Sequence, residues 1–262
     1  MCRQFDPVRR QLLLFPCLAL HDRMSLALFF FVIFVPFIFS FVIAFVIFYK
    51  RIVSFSALLT LSLFSLSSLL LASCVQVLAS PLSSLQGVSP IFASIFRAYV
   101  YSSLIEESSK IFIFYLFAKC LLNRFLLTKR NNNTRENYIK DCSVVSKNNA
   151  RGSVLLIMFF AASFAGFENI AYIAIEPNIW SYRLFNASML HILLSPIYVG
   201  IFNDRIRSFV YSIVMATILH GSYNFVACNV GALYSYIIIG LLLIKNIFYF
   251  SRHWQSILLH EI

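Results

Sequence analysis

Two adjacent carboxylates and a lysine, Glu106, Glu107 and Lys110, stand inside a long apolar run. Ionisable side chains in such a run are costly enough to be functional candidates by default. On a helix Lys110 falls four residues after Glu106 and three after Glu107, so it can neutralise one carboxylate and leave the other free to handle protons. A buried ion pair that only holds helices together would need one acid, and two are present. Further along, Glu168 and Tyr172 are four apart and share a helix face, as do His220 and Asn224, while His191 stands alone between Ser188 and Ser195. Each has a plain structural alternative: an interhelical hydrogen bond for Glu168, a satisfied core imidazole for His191. Taken together, carboxylates and imidazoles around a wet pocket suit hydrolysis. A glutamate takes a proton from water, and His and Asn donors stabilise the oxyanion formed as a peptide carbonyl is attacked. Glu and His also bind divalent metals such as zinc, and the sequence leaves metal use open. It has no His-Glu-x-x-His helix signature, no nucleophile-elbow serine, and six cysteines scattered singly without a placed histidine.

The elements that must position these groups are membrane helices. With 262 residues, 60% hydrophobic and 12% charged, the chain carries more apolar surface than a soluble domain of its length could bury. It reads as an all-α, polytopic membrane protein of about seven spans, approximately 27–49, 55–79, 98–122, 154–175, 184–202, 209–228 and 231–250. Spans three to six form a core of four helices that carries all the polar motifs. Ser89-Pro90 marks a helix start, with Ser89 as the cap. The net charge of +11 resides mostly in connections, above all the basic loop 123–152, which places that loop in the cytoplasm and reads as topology, with no nucleic-acid partner expected. Residues 1–23 read as an N-terminal extension, with Met24 as an alternative start, and 251–262 as a short cytoplasmic tail. With the basic loops inside, Glu106, Glu168, His191 and His220 all lie roughly 10 to 12 Å from the outer ends of their spans. One cavity in the outer half of the bilayer would gather them.

Glu106-Glu107-x-x-Lys110, Phe167-Glu168-x-x-x-Tyr172, His191 and His220-x-x-x-Asn224, in that order on successive spans, resemble the four motifs of PrsW-type intramembrane proteases, within the wider group of CAAX proteases and bacteriocin-processing enzymes. The resemblance covers about residues 35–225, including Pro36, Arg183 and Gly200. Prenyl-protease relatives carry an arginine four residues after the second glutamate and a histidine four after the motif-two phenylalanine. Ile111 and Ala171 stand there instead, so the chain is similar to the PrsW branch. The resemblance implies an endopeptidase of 24–250 in the inner (cytoplasmic) membrane, acting near its outer face on a single-span protein, with anti-sigma factors the family example. An acidic cluster expected after the first span is replaced by Lys50-Arg51-Ile52-Val53. By the same resemblance Glu106 and Glu107 would activate water, His191 would share that task, Glu168 would orient a histidine, and His220 with Asn224 would form the oxyanion site. Lys110 and Tyr172 would support charge balance and orientation from behind.

Two readings of other classes compete. A proton-coupled transporter also uses Glu, Lys and His in spans, but it needs a polar path to the cytoplasmic face, and beyond Lys110 the inner halves of these spans are nearly all apolar. A catalytically inactive scaffold or chaperone of the same fold would tolerate loss of the acids.

Overall fold

The computed structural model describes residues 35–49, 55–83, 88–118, 150–175, 180–203 and 206–258. The N-terminal extension with Met24, Lys50-Arg51 and nearly all of the basic loop lie outside the described residues. Among the described residues every regular element is helical. A short 3-10 turn, Val35–Phe37, leads into α1 (Ile38–Tyr49). Next come α2 (Phe55–Leu78), a single turn α3 (Ser80–Ser83), α4 (Pro90–Ile95), a π-helical segment (Phe96–Leu104) and α5 (Ile105–Phe117). The second half comprises α6 (Ala150–Ile175), α7 (Trp180–Leu194), a 3-10 segment (Ser195–Asn203), α8 (Ile206–Asn229) and α9 (Ala232–Leu258).

Three of these are long and apolar enough to cross a membrane: Phe55–Leu78, Val154–Tyr172 and Ile206–Asn229. Ile38–Ile47, Asn186–Val199 and Tyr234–Phe248 are apolar but shorter. Seven spans were expected, and the departures have physical causes. The helix from Pro90 to Phe117 carries Arg97, Glu106, Glu107 and Lys110, so its own chemistry lowers its apolarity. In the fifth apolar run Pro196 has no N–H to give and disfavours α geometry at Ser195, so the α-helix stops at Leu194 and a 3-10 segment takes over. Helix α9 runs on to Leu258, into residues read from sequence as a tail.

Helix α6 is central. Of its apolar stretch 72% is buried, against 28% for α2 and α8. Its run Ala161-Ala162-Ser163-Phe164-Ala165-Gly166 keeps side chains small on most sides, which lets neighbours come close where lipid offers no hydrophobic drive between helices. A Cβ on Gly166 would stand 2.8 Å from the Phe37 ring. Around α6 pack α1, α2, α7 and the 3-10 segment; α8 lies along the π-helical segment and α5 against α2. Phe114 meets Phe160 edge-on at 5.3 Å between ring centroids, and Phe117 meets Phe64 at 5.5 Å. Hydroxyl contacts join the helices above them: Ser62 to Ser163 at 3.4 Å, Ser163 to Ser40 at 3.5 Å, and Ser65 to the Phe160 carbonyl at 3.1 Å. The outward faces of α1, α2 and α9 present Phe45, Phe55, Leu59, Leu241 and Phe248. Such a surface suits acyl chains, and the chain is a membrane protein.

Candidate active site

The helix bearing the doubled carboxylate begins as the sequence predicts. Pro90 occupies the first turn and the Ser89 hydroxyl accepts from the Phe92 N–H at 3.4 Å. From Phe96 to Leu104 the helix widens to π geometry, which the sequence does not announce. Such widened turns gather at functional sites, because the extra residue re-aims the side chains beyond it. Polar contacts hold this segment and the turn before it. Tyr101 donates to the Gln76 carbonyl at 2.6 Å, Tyr99 and Ser222 share a hydrogen bond of 2.9 Å, and Ser94 of α4 donates to Asn229 at 2.8 Å. The Asn224 amide donates to Ser102 at 3.2 Å and to Ser103 at 3.1 Å.

Directly after the π segment, Glu106 and Glu107 both turn inward, 8% and 0% exposed. Their surroundings differ. Glu107 Oε1 accepts from Lys110 Nζ and is 2.7 Å from His220 Nδ1, while Oε2 accepts from the Tyr198 hydroxyl. Glu106 Oε1 accepts from Gln76 Nε2 at 3.3 Å and from Ser102 Oγ at 3.2 Å. Its Oε2 is buried without a hydrogen-bond partner and faces His220 Nε2 at 3.8 Å. Helical spacing left open which acid Lys110 pairs with; in the structure it is Glu107.

His191 Nε2 lies 2.9 Å from Glu168 Oε2 and its Nδ1 lies 2.9 Å from Lys110 Nζ. Because a carboxylate accepts and an ammonium donates, the neutral imidazole consistent with both contacts carries its proton on Nε2. The same logic puts a proton on His220 Nδ1, toward Glu107, and leaves the Nε2 lone pair of the neutral ring facing Glu106. The two rings sit 5.1 Å apart and nearly perpendicular, and Phe164 backs both His191 and the lysine, with Lys110 Nζ 4.5 Å from its centroid.

The structure thus brings Glu106, Glu107, Lys110, Glu168, His191 and His220 into one buried cluster. Asn224 stands one turn along from His220 and reaches the serines before Glu106. Tyr172 is half-buried one turn beyond Glu168 on α6. Gln76 and Tyr198 were missed at the sequence level. Gln76 is the lone glutamine of α2, a weak signal beside its serines; Tyr198 comes after Pro196 and lies seven residues after His191, where a tyrosine reads as apolar filling.

A divalent cation fits this donor set. One ligand atom each from Glu106, His191 and His220 lies within 4.8 Å of the others, and Glu106 Oε2 is an orphaned buried acceptor among them. With the carboxylates of Glu106, Glu107 and Glu168 ionised, a single ammonium leaves two negative charges to be balanced. Lys110 shares the His191 Nδ1 lone pair, so a cation drawing on that atom must displace the ammonium from it.

Close packing guards this geometry at Gly221, beside His220, where a Cβ would stand 2.4 Å from Cδ1 and 2.7 Å from Cγ of Tyr99. These atoms are near the root of the tyrosine and cannot simply swing away. Gly221→Ala is expected to lower stability by about 1 to 3 kcal/mol, read as a reduced unfolding temperature of the detergent-solubilised protein.

Comparison with curated proteins and with solved structures yields no match. A family model described as "PrsW family intramembrane metalloprotease" matches residues 50–250, which agrees with the resemblance carried by the four motifs and supports a peptidase. With most of its length matched and a Glu/His/His group gathered inside a helical membrane protein, the chain belongs to the PrsW family of intramembrane metalloproteases.

Proposed function

We propose that this protein hydrolyses a peptide bond of a single-span membrane protein, in the manner of anti-sigma-factor processing, just inside the outer face of the inner membrane. In this reading the shorter apolar helices and the Pro90–Phe117 helix complete seven passes. The observation that carries the reading is the opposition of Glu106 Oε2, buried and without a hydrogen bond, to His220 Nε2 at 3.8 Å. Glu107, by contrast, is surrounded by three donors and is suited to holding His220 and Lys110 in place.

Glu106 accepts a proton from water as the water oxygen bonds to the scissile carbonyl carbon and the C=O electron pair moves onto oxygen. The Asn224 amide donates to that oxyanion, while the neutral His220 ring gives its one proton to Glu107 and turns its Nε2 lone pair toward Glu106. Asn224 donates to Ser102 and Ser103, so it reaches the oxyanion by exchanging one of those bonds. Collapse of the adduct re-forms C=O and breaks C–N, and Glu106 returns the proton to the leaving amine. Glu168 holds the ring of His191, and Lys110 keeps the carboxylate pair from repelling itself apart. A divalent cation such as zinc, held by Glu106, His191 and His220, would supply Lewis acidity to the carbonyl and to water.

Comparative proteomics of membrane and released fractions tests the reading. A fragment cut within a membrane segment is expected from cells with the wild-type chain and not from cells with Glu106→Gln. Identical fragment sets would refute it. Metal use has its own test: chelation of the purified protein is expected to abolish reporter cleavage and zinc to restore it. Alanine at His191 or His220 is expected to weaken zinc binding by about a hundredfold or more, since each removes one of three ligands. Full activity after exhaustive chelation would dismiss the metal.

A further inference from the structure

Glu107 receives one of its three donors from outside the family motifs. Tyr198 is fully buried, and its hydroxyl donates to Glu107 Oε2, while Lys110 and His220 both engage Oε1. A carboxylate bonded through one oxygen can pivot about the bond to its carbon chain; a donor on the second oxygen fixes the plane of the group. That plane sets the direction of the His220 Nδ1 contact, and through the rigid ring it aims Nε2 at Glu106. The tyrosine is itself well anchored. It sits in the 3-10 segment Ser195–Asn203, and α8, the helix carrying His220, pins that segment through Ser212, whose hydroxyl donates to the Ile197 carbonyl at 2.9 Å. The carboxylate and the imidazole it orients are therefore referenced to the same helix.

We propose that Tyr198 is a positioning residue of the hydrolytic site, acting through Glu107 on the orientation of His220. The proposal rests on the reading that Glu106 and His220 carry the reaction. A tyrosine that merely filled the core could be replaced by phenylalanine at no cost. A tyrosine that orients a ligand from behind could not, since partners of this kind typically set metal affinity and rate by about 10- to 100-fold.

The test uses the full-length protein in detergent, with Tyr198→Phe made in the wild-type and Glu107→Gln backgrounds. In the wild-type background kcat for a reporter substrate is expected to fall about 10- to 100-fold with KM within about twofold, and zinc affinity by chelator competition to weaken about 10- to 100-fold. In the Glu107→Gln background the same substitution is expected to change each quantity by less than about twofold, because the group it acts on is already altered. A folded Tyr198→Phe protein with wild-type kcat and zinc affinity would overturn the proposal, as would equal losses in both backgrounds. Failure to fold that Glu107→Gln relieves supports action through Glu107; failure in both backgrounds makes Tyr198 a packing residue and overturns it. Should the wild-type protein cleave no reporter, the protease reading fails by itself, and the coupling of Tyr198 to Glu107 is still read in zinc affinity and unfolding temperature.

Discussion

Glu106→Gln is expected to lower peptide-bond hydrolysis by about a hundred- to ten-thousandfold while leaving the folded protein at its wild-type level in the membrane. The substitution keeps size and shape, and an amide oxygen can still accept from Gln76 and Ser102. What it removes is the negative charge at Oε2, the one oxygen of the pair with no hydrogen-bond donor, and with it the proton acceptor facing His220. The measurement is turnover of a reporter by purified protein beside its unfolding temperature. Retained turnover would remove Glu106 from the chemistry and favour the scaffold reading. Proton flux through reconstituted vesicles that depended on Glu106 would favour the transporter.

The second large effect falls on stability. Lys110 is 0% exposed, donates to Glu107, lies 2.9 Å from His191 Nδ1 and rests over the Phe164 ring. Lys110→Met therefore leaves a buried carboxylate without its counter-charge and an imidazole nitrogen without its donor. Breaking a buried ion pair from one side costs about 3 to 5 kcal/mol, whereas replacing both members by neutral groups is often close to neutral. The single variant is expected to lose most of its abundance and to unfold at a markedly lower temperature. Adding Glu107→Gln is expected to restore most of that stability but not hydrolysis, because His220 still lacks the carboxylate that orients it. Stability that is unchanged in Lys110→Met would show that the Glu107 carboxylate does not need this counter-charge to stay buried.

The range of the physics involved set how far the sequence could be read. The cap at Ser89 and the helix start at Pro90 depend on neighbours a turn away, and both were legible. The convergence of Glu106, Glu168, His191 and His220 was legible from depth alone, since helical rise converts residue number into distance along the membrane normal. The seven-span count was less secure: it assumed that each apolar run is one α-helix, and Pro196 and the charges of the Pro90–Phe117 helix break that assumption.

Residue types and their order determined by themselves that this is a helical membrane protein, and they led to the expectation that Glu106, Glu168, His191 and His220 lie at one level within it. Only the tertiary structure decided the division of labour. Helix geometry puts Lys110 within reach of either glutamate, and the choice of Glu107 is made by Tyr198 and His220, which arrive from the 3-10 segment and α8. The π-helical segment is held by Gln76, Ser222 and Asn224, and the two acids that follow it on α5, about 100° apart around the helix, are both buried because Gln76 meets Glu106 while Tyr198 and His220 meet Glu107. Those contacts join residues up to 123 positions apart, so no local pattern encodes them, and among the described residues Glu106 is the carboxylate left with a buried oxygen that accepts no hydrogen bond.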